Sequence, residues 1–204
     1  MIEFFTDELG IAPTRKAGDA GFDFYVPNAS EKVVAEIIED NPSFLVTCNI
    51  VSMPKKVPRK DEKGEVLLDK DGKPIVDMGH EDMICLMPHC GIKLPTHVYS
   101  KMPDNVCIRM SNKSGVCTKT QLIVGAEIID SSYQGQIHMH VINTGNTPTY
   151  IAFGKKLVQG IPIVIDNETA NCVKGKDPFK DGFFTEKTER GAGGFGSTGL
   201  DQQK

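Results

Sequence analysis

Residues 121–143 read QLIVGAEIIDSSYQGQIHMHVIN: two apolar runs flanking a polar, glycine-bearing turn. Runs rich in Val and Ile bounded by turn residues read as strands. QLIVGAEII and QIHMHVIN therefore predict a hairpin with Asp130 and Tyr133 on the turn between them. The pattern recurs on both sides, in MICLMPH, GIKLP, THVYSKM, NVCIRM, TYIAF and KLVQGIPIVI, with Pro, Gly, Asn and Asp as punctuation. Short strands at intervals of roughly 8–12 residues indicate an all-β barrel or sandwich. Pro162 in GIPIV predicts an edge strand or a bulge, because proline donates no ladder hydrogen bond.

The 204 residues are 39% hydrophobic and 25% charged, which fits a single globular domain of residues 1–204 carrying an insertion. There is no tryptophan, so the core is expected to be mainly aliphatic. A formal charge of −4 argues against stable nucleic-acid binding. No apolar run reaches the ~18 residues of a membrane span, and the acidic start MIEFFTDELG does not read as a secretory leader. Six cysteines without a C-x-x-C pair predict reduced thiols and a cytoplasmic setting, in a host cell if the source is viral. His138 and His140 share one strand face, but with no third ligand near them in sequence they read as ordinary strand positions rather than a zinc site.

Before these strands, AGDAGFDFYVP (17–27) predicts a tight turn into a strand, with Asp23 facing away from its two flanking phenylalanines. Asn28 or Ser30 can cap a helix over about 30–40, with Val33, Val34, Ile37 and Ile38 as its apolar stripe. The following stretch is highly charged and contains EVLL-DKDG-KPIV, a hairpin signal. Residues 28–82 thus read as an inserted segment: a helix, then a charged β-arm at about 56–79. After the strands, residues 166–189 are polar and turn-rich, with DPFKDGFF as a local apolar anchor.

Several segments carry groups suited to a nucleotide. SNKSG (111–115) joins hydroxyls, an amide and a cation at a turn, and FGKKLVQGI (153–161) places Gln159 within a strand. The tail RGAGGFGSTG (190–199) offers a guanidinium, a ring, two hydroxyls and many unshielded backbone amides. Such groups suit phosphates and a stacked base.

AGDAGFD, SNKSG, IIDSSYQGQ, GKKLVQ and RGAGGFGSTG, in that order, resemble the five motifs of the trimeric deoxyuridine triphosphatases, the dUTPases. The resemblance spans residues 17–199 apart from the insertion. It implies a jelly-roll-like all-β subunit, a homotrimer with active sites shared between chains, and a flexible glycine-rich C-terminal lid over residues 190–199. It also implies hydrolysis of dUTP to dUMP and pyrophosphate with Mg²⁺, to which no direct protein ligand is assigned. By the same resemblance, Asp130 is the catalytic carboxylate that activates water, with Asp23 in support. Tyr133 packs under deoxyribose, where a ribose 2′-OH would clash. Lys113, Ser114 and Gly115 meet the α- and β-phosphates, and Gln159 the α-phosphate. Arg190, Gly196, Ser197 and Thr198 meet the terminal phosphate, and Phe195 stacks on uracil. The chain departs from the usual pattern at Asn112-Lys113, where the family has Pro-Arg, and at Val124, Glu127 and Ser132.

Two other readings remain open. Some members of this family with extra segments act as regulatory proteins, so residues 28–82 are a candidate surface for a protein partner. A dCTP deaminase shares the fold but needs a base-directed acid on the strand after the hairpin, and QIHMHVIN contains none.

Overall fold

The computed structural model describes residues 1–166, 174–186 and 188, in two compact units divided after Asp166. The first unit is built mainly of strands. In chain order these are β1 (Glu3–Thr6), β2 (Phe22–Tyr25), α1 (Glu31–Asp40), α2 (Phe44–Thr47), β3 (Cys48–Pro58), β4 (Val76–Leu86) and β5 (Gly91–Pro95). They continue with β6 (Val98–Lys101), β7 (Val106–Asn112), α3 (Ser114–Thr120), β8 (Leu122–Ala126), β9 (Ile128–Ile129), β10 (His138–Asn143), β11 (Thr149–Ala152) and β12 (Lys156–Val164). The expected all-β class is borne out.

The strands form four antiparallel groups: β1-β6, β5-β10-β8, β11-β4-β3 and β2-β12-β7-β9. Period-2 alternation explains their burial. In β10, Met139, Val141 and Asn143 are buried while His138, His140 and Ile142 are half-buried. The core gathers Phe24, Val26, Ile84, Leu86, Ile92, Leu94, Ile108, Met110 and Ile137 with these inward positions. The core is mainly aliphatic, as the composition implied.

The hairpin expected at residues 121–143 is divided. β8 pairs with β10, but at Glu127 the chain leaves this sheet and β9 pairs with β7 instead. The turn carrying Asp130 and Tyr133 therefore joins strands of two different sheets. Pro162 faces Ile108 of β7, and the pairing of β12 with β2 ends at Gly160, so Pro162 lies where β12 is locally an edge.

Ser30 caps α1 by accepting from the Val33 amide at 3.2 Å. Val33 and Ile37 are buried, but Ile38, expected on the same stripe, is exposed. Asn41 ends the helix and locks it to β5, donating to the Ile37 and Lys93 carbonyls at 2.7 and 2.8 Å and accepting from the Lys93 amide at 2.9 Å.

The arm is larger than its turn signal implied. β3 and β4 pair continuously from Cys48↔Leu86 to Pro58↔Val76, and β4 also pairs with β11. At the tip, two turns share one design. Asp61 Oδ1 accepts from the Lys63 and Glu65 amides, and Asp69 Oδ1 from those of Asp71 and Lys73. Gly64 and Gly72 supply the positive φ that each turn needs, 83° and 75°.

In the second unit, Asp181 accepts from the Lys176 and Asp177 amides, and Phe184 packs against Phe179 and Phe183 with centroids 5.4 and 4.9 Å apart. The DPFKDGFF segment is thus an aromatic cluster within its own unit. Among the described residues no helix is long and apolar enough to cross a membrane.

Candidate functional site

Register places the first group of site residues. Asp23 on β2 faces Gln159 on β12, and Gln159 faces Ser111 on β7, so three motifs meet on neighbouring strands. Phe24 turns into the core and Asp23 to the other face, where its side chain is 17% exposed. Asp23 is not a free surface acid: Lys113 Nζ donates to its Oδ1 and Lys156 Nζ to its Oδ2, the latter at 2.8 Å. Burial alone would raise the Asp23 carboxyl, but the hydrogen bonds and charges of Lys113 and Lys156 outweigh it and hold the group below the usual carboxylate range. The bond to Asp23 likewise raises Lys156 above its ordinary value. Two lysines against one carboxylate leave a surplus positive charge beside Ser114, suited to an anionic ligand.

Lys113 precedes α3, so Ser114 and Gly115 form the first turn of that short helix. A Cβ built at Gly115 meets nothing within 4 Å, so the backbone there is open to approach. Gln159 Nε2 donates to the Asn112 carbonyl at 3.1 Å, and Asn112 Oδ1 accepts from the Val124 amide at 2.7 Å. Asn112 therefore ties the SNKSG turn to β12 on one side and β8 on the other. Sequence reading noted Asn112 only as a turn amide and a departure from the family pattern, and gave Lys156 no role of its own. Their signal was only an amide and a cation within quoted motifs, and strand register is what gives them partners.

The second group lies on the turn after β9. The Tyr133 amide donates to the Asp130 carbonyl at 3.1 Å, and Ser131 Oγ donates to the Asp104 carbonyl at 3.3 Å. The Tyr133 hydroxyl donates to the Gln136 carbonyl at 2.8 Å, which lays the ring against Gly135. A Cβ at Gly135 would stand 2.5 Å from that hydroxyl oxygen, so the ring's position requires glycine. Asp130 and Tyr133 line a cleft of about 220 Å³ with Ala126, Ile128, Ile129 and His138. Its lining joins apolar side chains to a carboxylate, a phenol and an imidazole. Glu127 is held aside by Arg109, whose Nε donates to it at 2.9 Å.

The structure brings Asp23, Lys113 and Gln159 together around the SNKSG turn, and it brings Asp130 and Tyr133 together, but it does not join the two groups within one chain. Ile129 faces Ile108 on β7, so Asp130 follows toward Cys107, while Asn112 ends the same strand. From Cys107 to Asn112 is roughly 17 Å at the ~3.4 Å rise of a strand. Among the described residues no hydrogen bond or ion pair connects Asp130 or Tyr133 to the group around Asp23, Lys113 and Gln159. The tail residues Arg190, Phe195, Gly196, Ser197 and Thr198 lie outside the described residues.

The sequence model of the dUTPase family matches residues 70–199, from within the arm through the glycine-rich tail. The deoxyuridine 5′-triphosphate nucleotidohydrolase of Yarrowia lipolytica is 32% identical over 103 residues, covering 50% of this chain and 61% of that protein. The Arabidopsis thaliana protein of the same name is 29% identical, covering 52% and 59%. The chain thus spans about three fifths of the length of these relatives. The Staphylococcus bacteriophage 80alpha dUTPase, solved with dUPNHPP, aligns over 98% of this chain and 99% of its own with a TM-score of 0.59 at 16% identity. That likeness shows the fold, while the family match runs through SNKSG, DSSYQGQ and GKKLVQ, which contribute residues to both groups described above, and on through the tail. On that match, which covers more than half of its residues, the chain belongs to the dUTPase family.

Proposed function

We propose that this protein hydrolyses dUTP to dUMP and pyrophosphate, which limits uracil incorporation into DNA and supplies dUMP for dTMP synthesis. The observation that carries the reading is the Asp130–Tyr133 cleft, which follows β9, together with a separate lysine-rich phosphate-side group beyond the Asn112 end of β7. A cleft of about 220 Å³ fits a nucleoside better than a whole triphosphate. The site is completed when the phosphate-side group of another chain faces that cleft, which favours an oligomer, and the family resemblance makes it a homotrimer.

In this reading Asp130 holds a water and takes its proton. The water oxygen bonds to the α-phosphorus, the bond from that phosphorus to the bridging oxygen breaks, and pyrophosphate leaves with the electron pair. Tyr133 fills the space under deoxyribose, so a ribose 2′-OH is rejected sterically. Lys113, Ser114, Gly115 and Gln159 hold the α- and β-phosphates, with Asp23 fixing the Lys113 ammonium. Arg190, Gly196, Ser197 and Thr198 close on the terminal phosphate, and Phe195 stacks on uracil.

Mg²⁺ fits this arrangement as an ion carried by the substrate. Both Asp23 oxygens are engaged by lysines, and Mg²⁺ characteristically binds through substrate phosphates and keeps its waters. When bound it neutralises charge developing on the phosphates. The residues holding those phosphates, Ser114, Gly115 and Gln159, would hold it indirectly.

Incubation of the protein and Mg²⁺ with dUTP, dCTP, dTTP and UTP, followed by chromatography, tests the reading. Release of dUMP and pyrophosphate from dUTP alone supports it. Turnover of dCTP to uracil products would replace it with deamination, although β10 offers His138 and His140 rather than an acid. A second reading, a partner-binding role for the arm, is favoured by the exposed apolar side chains Val57, Leu68, Val76 and Met78 along it. Binding of dUTP without turnover would move weight to that role.

A further inference from the structure

A cluster outside the dUTP-hydrolysing groups joins the inserted helix to the strand after the Asp130–Tyr133 turn. Glu36 and Asp40 stand one turn apart on α1, the spacing that puts two side chains on one face. β10 brings His138 against them, and one ligand atom from each of the three lies within 4.8 Å of the others.

His138 Nδ1 is 2.9 Å from the Gln136 carbonyl oxygen, so that nitrogen donates its proton there. Nε2 lies 3.1 Å from Asp40 Oδ2. A proton on Nε2 is poorly placed to bridge the two, because Asp40 Oδ2 is buried and makes no hydrogen bond: it stands off the axis of the ring nitrogen. Off-axis approach near 3 Å is the relation of two ligands on one ion. With bonds of about 2.0–2.1 Å, neighbours in a tetrahedral site are about 3.3 Å apart. Lys93 Nζ occupies the other Asp40 oxygen at 2.8 Å, which leaves Oδ2 as a single donor.

A second buried imidazole adjoins the cluster through Glu36. His97 is 6% exposed, and its Nδ1 is bonded to Asp7 Oδ2 at 3.0 Å. Its Nε2 is buried, makes no hydrogen bond, and lies 3.0 Å from Glu36 Oε2. Glu36 Oε1 accepts from Gln136 Nε2 at 2.7 Å, which orients the carboxylate. The carboxylates of Asp7, Glu36 and Asp40 thus lie within about 3 Å of the two imidazoles, and Lys93 pairs with Asp40.

We propose that Glu36, Asp40 and His138 form a site for a divalent transition-metal ion of the zinc class, with His97 beside it on Glu36. One imidazole with two carboxylates suits such an ion, and a ligating histidine commonly donates its other N–H to a backbone carbonyl, as His138 does to Gln136. The ion would clamp α1 to the start of β10 and fix one wall of the cleft that His138 shares with Asp130 and Tyr133. The proposal goes beyond dUTP hydrolysis and does not depend on it.

The test uses the full chain, stripped with a chelator, desalted, and kept free of nucleotide so that triphosphate-borne Mg²⁺ plays no part. Equilibrium dialysis against Zn²⁺ or Co²⁺ is expected to load one equivalent per chain. Bound Co²⁺ should show the intense visible bands of a tetrahedral site, displaced by Zn²⁺ and not by Mg²⁺. Asp40→Asn and His138→Gln should each weaken binding at least tenfold, with circular dichroism confirming the fold. Wild-type protein that takes up no metal, Co²⁺ with weak octahedral bands, or folded variants that keep wild-type affinity would overturn the site and leave imidazolium–carboxylate pairs in its place. If neither variant folds, the wild-type stoichiometry and Co²⁺ spectrum decide.

Discussion

Asn112 accepts the Val124 amide through its side chain at 2.7 Å, so the turn that carries Ser114 is fastened directly to the edge of β8. The Asn112 carbonyl meanwhile holds Gln159. Asn112→Ala removes the first of these and spares the second. The expected loss is about 0.5–1.5 kcal/mol, the usual worth of a single hydrogen bond. Activity should fall further than stability, because the Val124 end of β8 and the SNKSG turn lose their common reference. Steady-state kinetics and a melting curve on the same preparation check this. A variant with wild-type KM and kcat would show that the link is structural alone.

Asp23 gives a prediction in pH. Its carboxyl is held below its ordinary value by Lys113 and Lys156 against the effect of burial. A group whose folded value is depressed adds stability above its unfolded value, about 3.9 for aspartate. That stability is lost as pH falls through the lower folded value. Asp23→Asn should therefore be less stable than wild type at pH 7, and the difference should shrink below about pH 4. Melting temperatures of both proteins from pH 7 to pH 3 give the answer. A difference independent of pH would mean the two ion pairs contribute nothing.

The all-β class and most strands were legible from alternation and turn residues, as was the Ser30 cap of α1. Other features depended on register, which local sequence does not carry. QLIVGAEII looks like a single strand, yet it divides at Glu127 because the Glu127 carbonyl and Ile128 are taken up by β7. Ile38 sits at a stripe position but faces solvent, since Val33 and Ile37 already cover the core contact. Asp23, Lys113 and Lys156 are far apart in sequence and meet only through the β2-β12-β7 order. His138 had no third metal ligand near it in sequence because Glu36 and Asp40 lie about 100 residues earlier, on α1, in a segment read as a candidate partner surface.

Gly135 is expected to govern sugar selection without touching the sugar. A methyl group there would stand 2.5 Å from the Tyr133 hydroxyl oxygen, so Gly135→Ala must move the ring or break its bond to the Gln136 carbonyl. Overpacking of this kind costs about 1–3 kcal/mol. The expected result is a raised KM for dUTP and a smaller ratio of dUTP to UTP turnover. An unchanged ratio would show that the ring position does not set selectivity.

The separation of the two groups along β7 makes the last prediction. Asp130→Asn should cut kcat by about 10²–10⁴-fold, the usual range for loss of a general base. Gln159→Ala should impair the phosphate side. If each site takes Asp130 from one chain and Gln159 from a neighbour, neither variant alone has an intact site, but mixed oligomers do. Random assembly from equal amounts gives Asp130 intact in half of the contributing chains and Gln159 intact in half of the neighbours. About a quarter of the sites are then whole, by the heterologous geometry of a closed ring. Co-refolding the two inactive variants should thus restore about a quarter of wild-type turnover, against almost none when they are mixed without unfolding. Failure to recover activity in verified mixed oligomers would place both groups in one chain's site and overturn the shared-site reading.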